Sequence, residues 1–318
     1  MRIGTRRSAL ALAQAKLVAD MLGGAELVPM LASGDADATS AEATAGSAPA
    51  SVGAAPAAAV ASDKSRWVAE LEAALAAGEI DLAVHSAKDV PGELAPGLAL
   101  LGAPARASAE DVLCGAAGLD ELPAGARVGT SSIRRLAQLR AAREDLDVVA
   151  IRGNVDTRLR KLGDSGEGLD AIVLARAGLQ RLGRESEAGG VLDVARFVPA
   201  PGQGTLALEG RSDDEPVREA VQAITDEDAL ACLLAERALA RELDASCHTP
   251  LGAYAVPGGN GRLHVRAWIG LPDGSEWVGD ELLGGFDDPE ALGRQVAERL
   301  GAAGGAELLR RAEEMATA

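Results

Sequence analysis

The chain has 318 residues, 47% hydrophobic and only 2% aromatic, with 31 Lys and Arg against 48 Asp and Glu. That length is enough for two or three domains with their own cores, and a net charge of -17 argues against nucleic-acid or anionic-membrane binding, which needs a basic face. Cys114, Cys232 and Cys247 are dispersed with no CxxC, so neither a metal site nor a disulfide framework is expected, and a reducing cytoplasm fits.

Arg2 to Thr5 reads as a strand, and Ser8 as the N-cap of an amphipathic helix to about Leu22, with Leu10, Leu17 and Met21 at helical spacing. The arginines ahead of this helix imitate a secretion signal, but Gln14, Lys16 and Asp20 break the apolar run too early. No stretch approaches the roughly 18 apolar residues of a membrane span. Glu26 to Leu31 is the next strand. Residues 32–62 are nearly all Ala, Ser, Thr, Gly, Pro and acid, a composition that buries little apolar surface and predicts a mobile surface loop.

A helix over Ser65 to Ala77 leads into the strand Ile80 to His85, and the alternation repeats with strands at Val128, 147–151 and 171–174, which argues for parallel sheets covered by helices. After the strand at 80–85 comes His85-Ser86-Ala87-Lys88-Asp89-Val90-Pro91. A carboxylate at a strand's end beside an ammonium can stay ionised and stabilise a cation, although such Lys-Asp neighbours are usually solvated. His85 reads as a structural histidine.

Arginine is concentrated between Arg127 and Lys161, where nine Lys or Arg face four Asp or Glu. In Gly129-Thr130-Ser131-Ser132-Ile133-Arg134-Arg135 a strand ends at glycine and three capping or hydroxyl residues open a helix, so backbone amides and the helix dipole converge on one spot. Arg134 and Arg135 oppose that dipole, which suggests that a ligand offsets their charge. Arg152-Gly153-Asn154 followed by Arg158 and Arg160 repeats the design. Arginine suits carboxylate or phosphate because its planar fork donates two parallel hydrogen bonds. Arg140, Arg143 and Arg160 read as surface charges paired with Glu144, Asp145 or Asp147.

Beyond Gly210 the rhythm changes. An acidic helical stretch from about Asp213 to Asp244 precedes strands at His264 to Ile269 and Glu276 to Leu283, with Asp273-Gly274 as the turn signal, and two closing helices. This predicts a small α+β domain. Cys114 and Cys232 read as small buried hydrophobes. Cys247, in Asp244-Ala245-Ser246-Cys247-His248-Thr249-Pro250, stands out by its loop position.

Ile3-Gly4-Thr5-Arg6-Arg7-Ser8, the His85 to Pro91 run, both arginine segments, Pro201-Gly202-Gln203-Gly204 and the Cys247 loop occur in an order and spacing that resembles the porphobilinogen deaminase (hydroxymethylbilane synthase) family over essentially the whole chain. The resemblance implies an α/β fold of two periplasmic-binding-protein-like domains with mixed sheets flanked by helices, plus a small α+β C-terminal domain. By it, residues 1–103 and 199–215 form domain 1, 104–198 domain 2 and 217–318 domain 3. It implies head-to-tail condensation of four porphobilinogens with release of ammonia, by a cytoplasmic monomer that binds no nucleic acid or membrane. It implies Asp89 as the catalytic carboxylate and a dipyrromethane cofactor on a thioether to Cys247. Cofactor contacts would come from Lys88, Thr130, Ser131, Ser132, Arg134, Arg135, Arg152 and Gly153. Substrate contacts would come from Arg6, Ser8, Arg152, Arg158, Arg181 and Gln203. The implied lid ends at Lys64 and Trp67, which stand here in Ser62-Asp63-Lys64-Ser65-Arg66-Trp67 where relatives have Gly-Lys-Gly-x-Phe. Ser246 and His248 replace the usual Gly and Gln. A non-catalytic two-domain carboxylate-binding protein would use the same arginines without Asp89 or Cys247. A loop-damaged paralogue would keep both and fail to turn over.

Overall fold

A computed structural model describes residues 1–30, 58–163, 168–245 and 249–317. Ser246, Cys247 and His248 lie outside the described residues, as does most of the loop expected at 32–62. Residues from Ala58 onward already belong to a helix, so the expected helix start at Ser65 comes seven residues late.

In the first sheet, β1 (Arg2–Arg6), β2 (Glu26–Met30), β3 (Leu82–Ser86), β4 (Leu98–Gly102) and β10 (Leu206–Arg211) are ordered β2-β1-β3-β10-β4. In the second, β5 (Asp111–Cys114), β6 (Arg127–Gly129), β7 (Asp147–Val149), β8 (Ala171–Ala175) and β9 (Gly190–Val191) are ordered β7-β6-β8-β5-β9. Both sheets are mixed, against the parallel sheets that alternation alone suggested. β10 runs antiparallel to β3 and β4, and β5 antiparallel to β8 and β9. The reason is the route of the chain, since each odd strand directly follows a crossing from one sheet to the other and enters from the opposite end.

Helices α1 (Ala9–Met21), α2 (Ala58–Ala76), α3 (Ile133–Ala142), α4 (Val155–Gly163), α5 (Arg176–Arg181) and α6 (Glu215–Gln222) flank these sheets. Ser8 caps α1 as expected, accepting from the Ala11 N–H at 3.3 Å. The buried stripe of α1, however, is Ala11, Ala15, Val18 and Ala19, while Leu17 and Met21 are each 44% exposed. Small residues face inward because α1 lies close on the sheet, where Ile3, Leu82, Val84, Leu206 and Leu208 already fill the core. In α2, Val68, Leu71, Ala74 and Leu75 form the buried face.

Helix α6 packs Val217 and Val221 into the first sheet's core, so the expected start of the third domain at 217 falls inside an element of the first. The third core begins with α7 (Glu227–Glu242), which Asp226 caps at 2.8 Å to the Ala229 N–H. Against it lie the antiparallel meander β11 (Leu251–Gly259), β12 (Arg262–Gly270) and β13 (Trp277–Gly285), with α8 (Pro289–Ala302) and α9 (Gly305–Thr317). Strand β11 has no counterpart in the sequence reading. Cys114 and Cys232 are 0% and 2% exposed, and burial pushes their thiols up to about 11 and about 12, as suits inert core residues.

All three units meet at Glu236 of α7, which is 0% exposed. Its carboxylate accepts from Arg106 Nη1 at 2.7 Å, the Gly202 N–H at 2.6 Å and the Ala255 N–H at 2.7 Å. Arg106 also donates to the Gln203 carbonyl at 2.9 Å. Arg106 lies on the first crossing and Gly202 on the second, so one buried carboxylate fastens both to the third domain.

Candidate active site

Strand β3 delivers the chain to a 3-10 turn, Ala87–Asp89, whose Ala87 N–H donates to the Thr205 carbonyl at 3.0 Å. The turn rests on Gly202, where φ is +73° and a Cβ would come within 2.9 Å of the Ala87 methyl, so both the backbone and the space demand glycine. Leu233 of α7 packs with Ala87 and Ala207 beneath it. Asp89 therefore sits half-buried on a turn braced by two domains. It lines a cleft with Arg6, Ser8, Gln14, Trp67, His85 and Ser86, in which Gln14 Nε2 donates to Ser86 Oγ at 2.9 Å.

From the second sheet, Thr130, Ser131 and Ser132 turn the chain from β6 into α3. Thr130 Oγ1 accepts from the Ser132 N–H at 3.2 Å, and Ser132 Oγ caps the helix from the Arg135 N–H at 3.4 Å. Ser131 accepts from Arg158 Nη2 at 2.9 Å, while Arg158 Nε donates to the Gly153 carbonyl at 2.8 Å. The two arginine segments thus meet through one hydroxyl. Gly153, at φ +115°, makes the turn before Asn154, whose Oδ1 caps α4 from the Thr157 N–H at 2.9 Å.

The charge of Arg134 and Arg135 is offset from within the protein, which corrects the expectation that a ligand alone balances it. Asp111, 1% exposed, accepts from Arg134 Nη2 at 2.8 Å and from Arg135 Nη2 at 2.7 Å. The Val198 and Val173 carbonyls take the remaining forks at 2.8 and 3.0 Å. Burial by itself would raise the Asp111 pKa, but the two guanidinium groups hold it well below the usual carboxylate range. One carboxylate against two guanidinium groups leaves a net positive charge behind the hydroxyl-bearing turn.

Gln203 links this cluster to the Ala87–Asp89 turn. Its Nε2 donates to Asp111 Oδ1 at 2.8 Å and to the Ala109 carbonyl at 2.6 Å, while its Oε1 accepts from Lys88 Nζ at 3.4 Å. Arg158 and Arg181 differ from the Asp111 pair in having no ion pair with a protein carboxylate among the described residues. Desolvation lowers the Arg158 pKa to about 10, with Arg135 repelling it and Asp89 drawing it back. Desolvation also lowers Arg181 to about 10, and its Nη2 donates to the Gly204 carbonyl at 2.6 Å while its buried Nε has no hydrogen-bond partner. Arg152 is exposed at the opening of the second segment.

Arg143 pairs with Asp145 at 2.7 Å and Arg140 reaches the Pro272 carbonyl, so both are away from the cleft, as the sequence suggested. They line a wider surface crevice between α3 and the β12–β13 turn that holds none of the expected site residues. His85 is buried with Nε2 2.9 Å from Glu209 Oε2. Asp111, Glu236 and Glu209 are the functional neighbours that sequence reasoning missed. Each is a carboxylate set in an apolar or strand pattern, and that was the available signal.

Residues 1–219 match the family model described as porphobilinogen deaminase, dipyromethane cofactor binding domain, and residues 230–302 match porphobilinogen deaminase, C-terminal domain. The porphobilinogen deaminase of Xanthomonas axonopodis pv. citri is 43% identical over 320 residues, spanning 97% of this chain and 98% of that relative. The one from Brevibacillus brevis is 41% identical over 97% of this chain and 96% of its own.

The chain belongs to the porphobilinogen deaminase family. Its activity is that of a porphobilinogen deaminase, and its first 219 residues are a dipyrromethane cofactor-binding region. In a porphobilinogen deaminase the half-buried cations with no ion pair among the described residues are the ones to test first. Arg158→Lys keeps the charge but loses the fork that joins Ser131 to Gly153. It is expected to lower kcat/KM for porphobilinogen by about 10- to 100-fold. Steady-state porphobilinogen consumption measures this, and a Lys variant as good as the parent would remove Arg158 from the site.

Proposed function

We propose that this chain condenses four porphobilinogens head to tail into hydroxymethylbilane, releasing ammonia each time, as a cytoplasmic monomeric transferase of tetrapyrrole and heme biosynthesis. The observation that carries the reading is a half-buried carboxylate, Asp89, which lines a cleft with Arg6 and draws the Arg158 pKa upward, while the half-buried Arg158 and Arg181 form no ion pair with a carboxylate among the described residues. Substrate and cofactor pyrroles each bear an acetate and a propionate, so the donors left over match a polycarboxylate. The cofactor fits the same test. The orphaned Arg181 Nε and the uncompensated charge behind Thr130 to Ser132 suit its acid groups.

Lys88, Thr130, Ser131, Ser132, Arg134, Arg135, Arg152 and Gly153 would hold the dipyrromethane, tethered by a thioether to Cys247. When bound, that group supplies the free pyrrole carbon to which each new unit is joined. Arg6, Ser8, Arg152, Arg158, Arg181 and Gln203 would orient the substrate and the lengthening chain by their carboxylates. Lys64 and Trp67 would stand at the foot of a lid. Asp89 accepts the substrate's pyrrole N–H and offsets the positive charge that develops as ammonia departs. A carboxylate fixed before the reaction does this without the reorganisation that water would need.

Intact-mass measurement of the purified protein tests the tether. A mass increase equal to two pyrrole units, lost in Cys247→Ser together with turnover, is the expected result. A parent protein of unmodified mass that still consumes porphobilinogen would overturn the covalent cofactor.

A further inference from the structure

We infer that Trp67 is a substrate-positioning residue whose indole fixes the Arg6 guanidinium at the cleft and offers its own Nε1–H to a carboxylate of porphobilinogen. This rests on the reading of Arg6 as a carboxylate-binding residue.

Arg6 ends β1, and its Cζ lies 3.2 Å from the centroid of the Trp67 ring. A guanidinium held that close stacks on the ring face. The stack settles the direction of a long side chain that would otherwise sample many rotamers. Trp67 is itself held by a rigid element, because Val68, Leu71 and Leu75 of α2 are 4%, 2% and 0% exposed.

The second observation concerns the indole nitrogen. Trp67 Nε1 is buried and has no hydrogen-bond partner among the described residues, whereas a buried indole N–H nearly always has one. Trp67 lines the same cleft as Arg6, Ser8 and Asp89. An acceptor arriving there would satisfy the indole, and beside a guanidinium the fitting acceptor is a carboxylate. A phenylalanine at this position, as the resemblance implies for the family, would offer a ring face but no donor. Tryptophan here therefore supplies one donor that a phenylalanine would lack.

The test compares Trp67→Phe, Trp67→Leu, Arg6→Gln and the double variant Trp67→Leu/Arg6→Gln, each confirmed by mass to carry its cofactor adduct. Loss of the donor alone in Trp67→Phe is expected to raise the KM for porphobilinogen by about 3- to 10-fold with kcat little changed. Trp67→Leu, which also loses the stack, is expected to raise it by about 30-fold. In the Arg6→Gln background the same leucine substitution is expected to cost only the donor's share. A KM within twofold of the parent in Trp67→Leu, or an equal loss in both backgrounds, overturns the inference while a raised KM in Arg6→Gln leaves the Arg6 reading intact. An unchanged KM in Arg6→Gln overturns that reading and this inference with it.

Discussion

Asp89→Asn is expected to lower porphobilinogen consumption by about 10²- to 10³-fold while the protein stays folded, the range seen when one preorganised electrostatic partner of a transition state is removed. Asparagine has the same shape, so the turn braced by Gly202 and Leu233 keeps its packing. What disappears is the negative charge that the proposed mechanism sets against the departing ammonia. The variant has a second signature. Asp89 draws the Arg158 pKa upward, so its neutralisation leaves Arg158 more strongly destabilised by burial and by Arg135. Single-turnover release of ammonia separates the chemical step from substrate binding. An asparagine variant with the parent's rate would remove Asp89 from the chemistry.

Asp111→Asn is expected to cost about 3–5 kcal/mol of stability, because two buried guanidinium groups lose their shared counter-ion. Arg134 and Arg135 have side chains only 4% and 8% exposed, so solvent cannot take the carboxylate's place. The effect has a definite sign with pH. The folded-state pKa of Asp111 lies well below its unfolded value of about 3.9. The stabilisation is therefore complete above about pH 4 and is lost as the pH falls toward the folded-state value. Urea midpoints between pH 7 and pH 3 should fall steeply in the parent at the acid end and less in Asp111→Asn. Parallel pH curves would show that the carboxylate is not the group responsible.

Much of this site can be read from the order of residues because its parts are local. A strand ending at Gly129, a run of hydroxyls and a capped helix are consecutive, and so are Lys88 and Asp89 on their turn. The partners of those parts are not local. Nothing near Arg134 in sequence says that its counter-ion is Asp111, 23 residues back on a strand reached by a crossing. Likewise Glu236 reads as one more acid in an acidic helix until the fold brings Arg106 and Gly202 to it. The periodicity of α1 misled for a related reason. Leu10, Leu17 and Met21 are the more hydrophobic residues, but the sheet is already filled and admits only the alanine side of the helix. Strand β11 went unseen because its inward positions are Ala253 and Ala255, weak signals of a core strand.

The carboxylate of Glu236 has a kinematic consequence. Because Arg106 and Gly202 are fastened to the same group, the two segments joining the sheets move as one ribbon rooted in the third domain. If the second sheet rotates against the first, that root is where the pivot would lie. Lys88 and Arg181 are bonded to the ribbon itself, through Gln203 and the Gly204 carbonyl, and so ride near the axis. Among the described residues Arg152 and Arg158 have no hydrogen bond to it, and Arg158 is bonded within the second sheet's loops. A cleft hinged in this way would open at its rim while the Asp89 carboxylate, on its braced turn, stays in place.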